Sequence, residues 1–277
     1  MGSGSGNNRQ QHNPRFVRVA HSQDGSKHSI GITESGVAYS WGRTNELGQL
    51  GRKTSNSTAT EVRSPNPIEQ DRRGMTTTNG RSGTGTGQGN KMPRIVRAYA
   101  GGTSETGHSA ILDSNGDLWM AGCDRWQQLG LGSPEGGATG YTWGDGGKIW
   151  RDVFVRNVHL PKLIKKGCSQ DNLIGFPAGI RDVALGEDHT VVLSSNRRDV
   201  YTFGKGSEGQ LGYIAKPFVS APARSSVLSS RSGGLAAVCA IKHCSVSIDD
   251  KGDVVAKAGR CKMIEMANEL KACITQA

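Results

Sequence analysis

Long apolar runs, metal-type cysteine spacings and aromatic residues are all scarce in this 277-residue sequence. No apolar run approaches the roughly 18 residues that a membrane-crossing helix needs, so no membrane association is expected. The opening stretch MGSGSGNNRQQHNP contains no apolar core, which argues against a secretory signal. Acids are also rare at this end, with Asp24 the first, but the amphipathic spacing of a transit peptide is missing. Six cysteines (Cys123, Cys168, Cys239, Cys244, Cys261 and Cys273) form no CxxC pair and no ligand spacing with histidine. Thiols in a reducing intracellular compartment are therefore expected: cytoplasm or nucleus, with mitochondrion or plastid as alternatives. Aromatic residues make up 5% and apolar residues 34%, low for a globular chain.

Glycine is abundant instead, at 40 residues, and the charge balance is basic. Lysine plus arginine number 34 against 24 acids, a formal net charge of +10. Compact strand regions separated by long polar loops would account for this mixture. A chain of this length can bury a sizeable core as one large all-β domain or two smaller ones.

The chain also repeats itself. The segment HSIGITESGVAYSWGRTNELGQLG at His28 returns at His189 as HTVVLSSNRRDVYTFGKGSEGQLG. Looser copies start at His108 (HSAILDSNGDLWMAGCDRWQQLGLG) and at His243 (HCSVSIDDKGDVVAKAG). Each copy opens on an alternating run, Ile30 and Ile32, Ala110 and Leu112, Val191 and Leu193, or Val246 and Ile248, as in a half-buried strand. A Gly, Asn and Asp cluster then supplies a hairpin turn. A second strand follows and ends at Gly42, Gly122, Gly204 or Gly259, where a recurrent glycine implies special backbone angles or close approach. Three copies add a turn ending at Gly51, Gly130 or Gly212, which inserts Leu50, Leu129 or Leu211 into a shared core. Before each histidine runs another apolar strand, FVRVA, IVRAYAGG, IRDVALG or LAAVCA, and a further strand is expected at a proline, as in MPRIV and LPKLI. Units of this kind bury both faces only by stacking around an axis.

The order of glycine, His-Ser, alternating strand, turn, strand ending in Trp-Gly, and GQLG resembles the regulator of chromosome condensation repeat family. The third copy, IRDVALGEDHTVVLSSNRRDVYTFGKGSEGQLG, carries the likeness most fully. The resemblance implies an all-β protein, a β-propeller of four-stranded antiparallel blades over residues 15–260. Four copies against the family's usual seven suggest a partial or divergent ring. Residues 52–92 and 133–160 are expected as loop insertions, residues 1–14 as a disordered segment. After Gly259 the stripe of Met263, Met266, Ala267, Leu270 and Ile274 predicts a short helix within 261–277.

No residue points to catalysis. His28, His108, His189 and His243 occupy equivalent places in successive units, which makes them repeat scaffolding rather than one convergent cluster. The neighbouring Ser29 and Ser109 have no acid partner at triad spacing. RSGTGTGQGNK at 81–91 lacks the strand and helix that would aim a phosphate cradle. No cofactor, metal or small-molecule substrate is expected. Basic residues offer the more informative sites: Arg72, Arg73 and Arg81 in the first insertion, and Lys162, Lys165 and Lys166 near the third unit, suit an acidic protein or a nucleic acid. The family likeness carries three function classes. These are a non-enzymatic protein-interaction scaffold within a larger assembly, a guanine-nucleotide exchange factor for a Ran-type small GTPase, and an ultraviolet sensor built on tryptophan cages. With five tryptophans and no Gly-Trp-Arg-His-Thr run, the third is the weakest. The scaffold is the first expectation and exchange the alternative.

Overall fold

In the computed structural model, residues 14–22, 28–43, 45–52, 62–67, 93–132, 150–165, 179–213 and 216–261 are described, those of 62–67 by their backbone. Three four-stranded antiparallel sheets and one three-stranded sheet follow one another along the chain. The first is β1 (Phe16–His21), β2 (His28–Thr33), β3 (Ala38–Gly42) and β4 (Val62–Pro67), paired in that order. The second repeats this with β5 (Ile95–Gly101), β6 (His108–Asp113), β7 (Leu118–Cys123) and β8 (Trp150–Arg156), and is followed by the short helix α1 (Leu160–Lys165). The third comprises β9 (Ile180–Leu185), β10 (His189–Ser194), β11 (Val200–Lys205) and β12 (Phe218–Arg224), and the last β13 (Leu235–Ile241), β14 (Cys244–Asp249) and β15 (Val254–Gly259). Each sheet is thus a meander of neighbouring strands, the blade of a β-propeller.

Apolar side chains between sheets form the core. Ile30, Ile32 and Ala38 of the first blade meet Ile111, Trp119 and Ala121 of the second, with Phe154 between them. Ala110, Leu112 and Met120 on the second blade's other face meet Val183, Val192, Tyr201 and Phe203 of the third. Val191, Leu193 and Val200 then meet Leu235, Val238 and Ala258 of the fourth. Strands β6 and β10 are buried on both faces, rather than on the single face that alternation predicts, because each blade is covered by a neighbour on either side. A fourth cluster, Cys239, Ile241, Cys244, Val246 and Ile248, belongs to the last blade alone. Among the described residues no apolar cluster joins the last blade back to the first.

Three expectations change. The fourth strand of the second blade, WRDVFVR, lies inside the stretch 133–160 expected as a loop, with Phe154 fully buried. In the same way VRSPNP, within 52–92, pairs with β3. The LPKLI stretch, expected as a strand, is the helix α1: the Asn157 carboxamide oxygen accepts from the His159 and Leu160 amides at 3.1 Å, an N-cap that starts a helix. Leu160 and Ile164 then turn into the core between the second and third blades. Residues 1–13 and 262–277 lie outside the described residues, and with them the expected N-terminal segment and C-terminal helix.

Candidate functional site

Strand register puts His28 opposite Gly42, His108 opposite Gly122 and His189 opposite Gly204. The next residue along the strand, Ser109, Thr190 or Ser245, is the one that the preceding blade's histidine reaches. His28 Nε2 lies 2.8 Å from Ser109 Oγ, and His189 Nε2 lies 2.8 Å from Ser245 Oγ. His108 Nε2 makes a longer approach of 3.5 Å to Thr190 Oγ1 while its Nδ1 sits 3.1 Å from the Thr106 carbonyl oxygen. Each hydroxyl then donates to the main-chain carbonyl of the glutamine in the preceding unit's turn: Ser109 to Gln49 at 2.7 Å, Thr190 to Gln128 at 2.8 Å, Ser245 to Gln210 at 2.7 Å. A buried histidine, a hydroxyl and a carbonyl therefore lock each blade to the next. The glutamine side chains brace the same turns, since the Leu47, Trp126 and Glu208 amides donate to the Gln49, Gln128 and Gln210 carboxamide oxygens.

Burial keeps these imidazoles neutral. Desolvation, with neighbouring histidines adding to it, lowers the pKa of His28 and of His189 to about 3. His108 is lowered to about 4, again chiefly by burial, against the hydrogen bond to Thr106. Desolvation acts in the opposite sense on two nearby carboxyls, raising Asp124 to about 7 and Asp182 to about 6. Asp124 accepts from the Leu129 amide at 3.0 Å, and Asp182 from the Val238 amide at 3.3 Å.

Close backbone approach explains the strand-ending glycine. Gly204 has φ 103°, and a Cβ there would stand 2.5 Å from the Asp188 carbonyl oxygen and 2.8 Å from the His189 Cα. Gly122 and Gly259 repeat the arrangement. Gly42, at the same register in the first blade, is not among the glycines with positive φ. Gly51, Gly130 and Gly212 close the second turn at φ 62°, 63° and 72°.

His243 is placed differently from the other histidines. The residue opposite Gly259 is Cys244, so Cys244 and not His243 holds the histidine position of the fourth copy. His243 Nε2 instead lies 3.6 Å from Glu187 in the third blade. Cys244 is disulfide-bonded to Cys261, a pairing that the cysteine spacing did not suggest. Cys123 is a buried free thiol.

Of the basic residues expected to meet a partner, Lys162 is exposed on α1 and Lys165 ends that helix. Arg72, Arg73, Arg81 and Lys166 lie outside the described residues. The hydroxyls and turn carbonyls of the latch were missed as a site. Their signal was present, for a serine or threonine follows the histidine and a glutamine stands in each GQLG-type turn. No helix among the described residues is long and apolar enough to cross a membrane. Among them, too, no group of three or more His, Cys, Asp or Glu side chains could hold a metal ion.

Comparison with known proteins agrees with this architecture. The sequence profile of the regulator of chromosome condensation (RCC1) repeat matches residues 180–210, which span β9, β10, β11 and the turn after them. The RCC2 homolog of Danio rerio is 27% identical over 237 residues, covering 82% of this chain and 39% of its own. The chain thus spans about two fifths of that relative's length. Among solved structures, human WBSCR16 superposes with a TM-score of 0.56 at 17% identity, over 87% of this chain and 46% of that one. Prp20p of Saccharomyces cerevisiae, studied for its binding to Gsp1p and histones, gives 0.55 at 20% identity, over 87% and 44%. With its blade register, its repeated latch and its matched third copy, the chain carries RCC1-type repeats and is similar to the RCC1-repeat proteins.

Proposed function

We propose that the chain is a non-enzymatic β-propeller scaffold for protein–protein interaction, working as a subunit of a larger assembly inside the cell. One observation carries this reading. The polar groups that recur along the repeat, the histidine and the glutamine turn of the first three copies and the hydroxyl of the copy that follows each, are used in holding blades together. Buried and mutually hydrogen-bonded, they have no open side from which to meet a substrate. Rigid blades that display long loops suit recognition, and the net charge of +10 favours an acidic protein surface or a nucleic acid. Arg72, Arg73, Arg81, Lys162, Lys165 and Lys166 are the contact residues in this reading.

Exchange on a Ran-type small GTPase is the second reading, favoured by the likeness of fold to Prp20p. One preparation separates the two. The full chain is used to capture partners at rising ionic strength, and the same protein is added to a Ran-type GTPase loaded with fluorescent nucleotide. The scaffold reading expects capture that weakens steeply with salt and with Arg72, Arg73 and Arg81 all changed to Glu, and no faster nucleotide release. Faster release would replace it with exchange, and salt-insensitive capture would remove the basic loops as its basis.

A further inference from the structure

Each blade has a front face, turned to the following blade, and a rear face, turned to the preceding one. Strand register makes the rear faces comparable residue by residue. Val19 of β1 corresponds to Ala98, Val183 and Val238 in the later blades, since these stand opposite Gly31, Ile111, Val192 and Ser247. Val183 and Val238 are both 3% exposed beneath the preceding blade, whereas Val19 is 51% exposed. Tyr39 corresponds in the same way to Trp119 and Tyr201, which are 4% and 5% exposed, yet Tyr39 is only half-buried. Nothing among the described residues covers this face of the first blade. Phe16 stacks on Trp41 with ring centroids 5.2 Å apart and meets Tyr39 edge-on at 5.7 Å, so the face presents an ordered aromatic surface. The front face of the last blade offers no such surface, for Val246 and Ile248 are buried to 0% and 1%.

The latch distinguishes what can sit there. Ser29 occupies the place of Ser109, Thr190 and Ser245, the hydroxyls that receive a histidine from the preceding blade. Here its hydroxyl is engaged at 2.7 Å by Nδ1 of His21 from the same blade. His21 stands where Ala100, Leu185 and Ala240 leave room for the neighbour. A further blade of this repeat, reaching over with its own histidine, would find the position filled. Cations stand at its edges: Arg15 precedes Phe16 and Arg43 follows β3, both exposed, against Glu34 at the β2–β3 turn, whereas Arg18, opposite Ile32, belongs to the front face. Two copies packed rear face to rear face would bring the edge arginines together.

We infer that the rear face of the first blade is a docking surface for a second protein. The partner presents an apolar sheet face rimmed by carboxylates and carries no latching histidine. Apolar contact falls on Phe16, Val19, Tyr39 and Trp41, and the carboxylates meet Arg15, Arg43 and His21. The inference rests on the scaffold reading and names its contact surface.

Site-directed photocrosslinking in the full chain tests it. A benzoylphenylalanine replaces Val19 in one version, and exposed Val227 or Val255 in control versions, each expressed in the source cells. The expected result is one discrete protein adduct from position 19 and none from the controls, with the crosslinked peptide in a sheet whose rim carries Asp or Glu. With that partner purified, Val19→Glu raises the dissociation constant at least tenfold at unchanged melting temperature, and Arg15→Glu with Arg43→Glu weakens its salt dependence. An adduct to a second copy of this chain, to a nucleic acid or to a histidine-bearing RCC1 blade overturns the inference. A partner crosslinked only from the control positions overturns it as well, while leaving the scaffold reading intact. No adduct from any position, together with no partner captured by the unmodified chain, overturns both.

Discussion

Cys244 faces Gly259 across the last hairpin, in the register that elsewhere sets a latching histidine opposite a glycine. The chain of latches runs from His28 to Ser109, from His108 to Thr190 and from His189 to Ser245, and it stops where a cysteine takes the fourth histidine's place. The sulfur there is bonded to Cys261, 17 residues on, so the last blade closes on itself instead of reaching forward. Cys261→Ser should therefore lower unfolding free energy by about 3 kcal/mol, the effect of opening a loop of that size. Denaturant curves of parent and variant under oxidising conditions check this: the variant should unfold at the lower denaturant concentration, and because Cys239 is disulfide-bonded as well, reductant should weaken both proteins and narrow the gap between them. Equal stability of parent and variant under oxidising conditions would remove the disulfide from the account.

Acid should weaken the latches. The folded pKa values of His28, His108 and His189 lie well below the ordinary 6.5. As pH falls below 6.5 the unfolded chain therefore takes up protons that the folded chain refuses. Each histidine then removes about 1.4 kcal/mol per pH unit until its folded pKa is reached. Asp124 and Asp182 work in the other direction, because their folded pKa values are raised above the ordinary 3.8. They favour the folded state increasingly as pH falls from their folded values toward 3.8. Asp124→Asn removes one opposing contribution, so its stability should fall between pH 6 and pH 4 more steeply than the parent's, by about 1.4 kcal/mol per pH unit. Parallel slopes would show that Asp124 does not titrate on unfolding.

Backbone approach gives a third expectation. Gly204 combines φ 103° with a main-chain carbonyl 2.5 Å from where a Cβ would stand. Gly204→Val should destabilise by about 1–3 kcal/mol, and Gly204→Ala, which already adds the clashing Cβ, should destabilise as well. A thermal melt at unchanged midpoint for the valine variant would contradict it.

The first three strands of each blade could be read from the sequence because alternation, turn residues and a terminal glycine recur together. The fourth strands could not. The burial of FVSAPAR and WRDVFVR follows no clean alternation, and segments of unequal length separate them from the repeat. At LPKLI the apolar spacing suited either state, and only the cap from Asn157 decides it. The histidine of the fourth copy was misplaced by one residue, since His243 imitates the motif while Cys244 holds the position. The latch itself joins residues far apart in the chain, such as Ser109 and Gln49. The recurrence of its parts was visible, but their meeting required the stacked blades.

The claim that buried histidines lock successive blades is tested most directly by a double-mutant cycle across the third and fourth blades. Unfolding free energies are measured at pH 7 for the parent, His189→Gln, Ser245→Ala and the double variant. Their 2.8 Å contact predicts a coupling energy of about 0.5–3 kcal/mol, with each single change destabilising. Single effects that simply add would contradict the latch, and would leave these residues as separate occupants of the core.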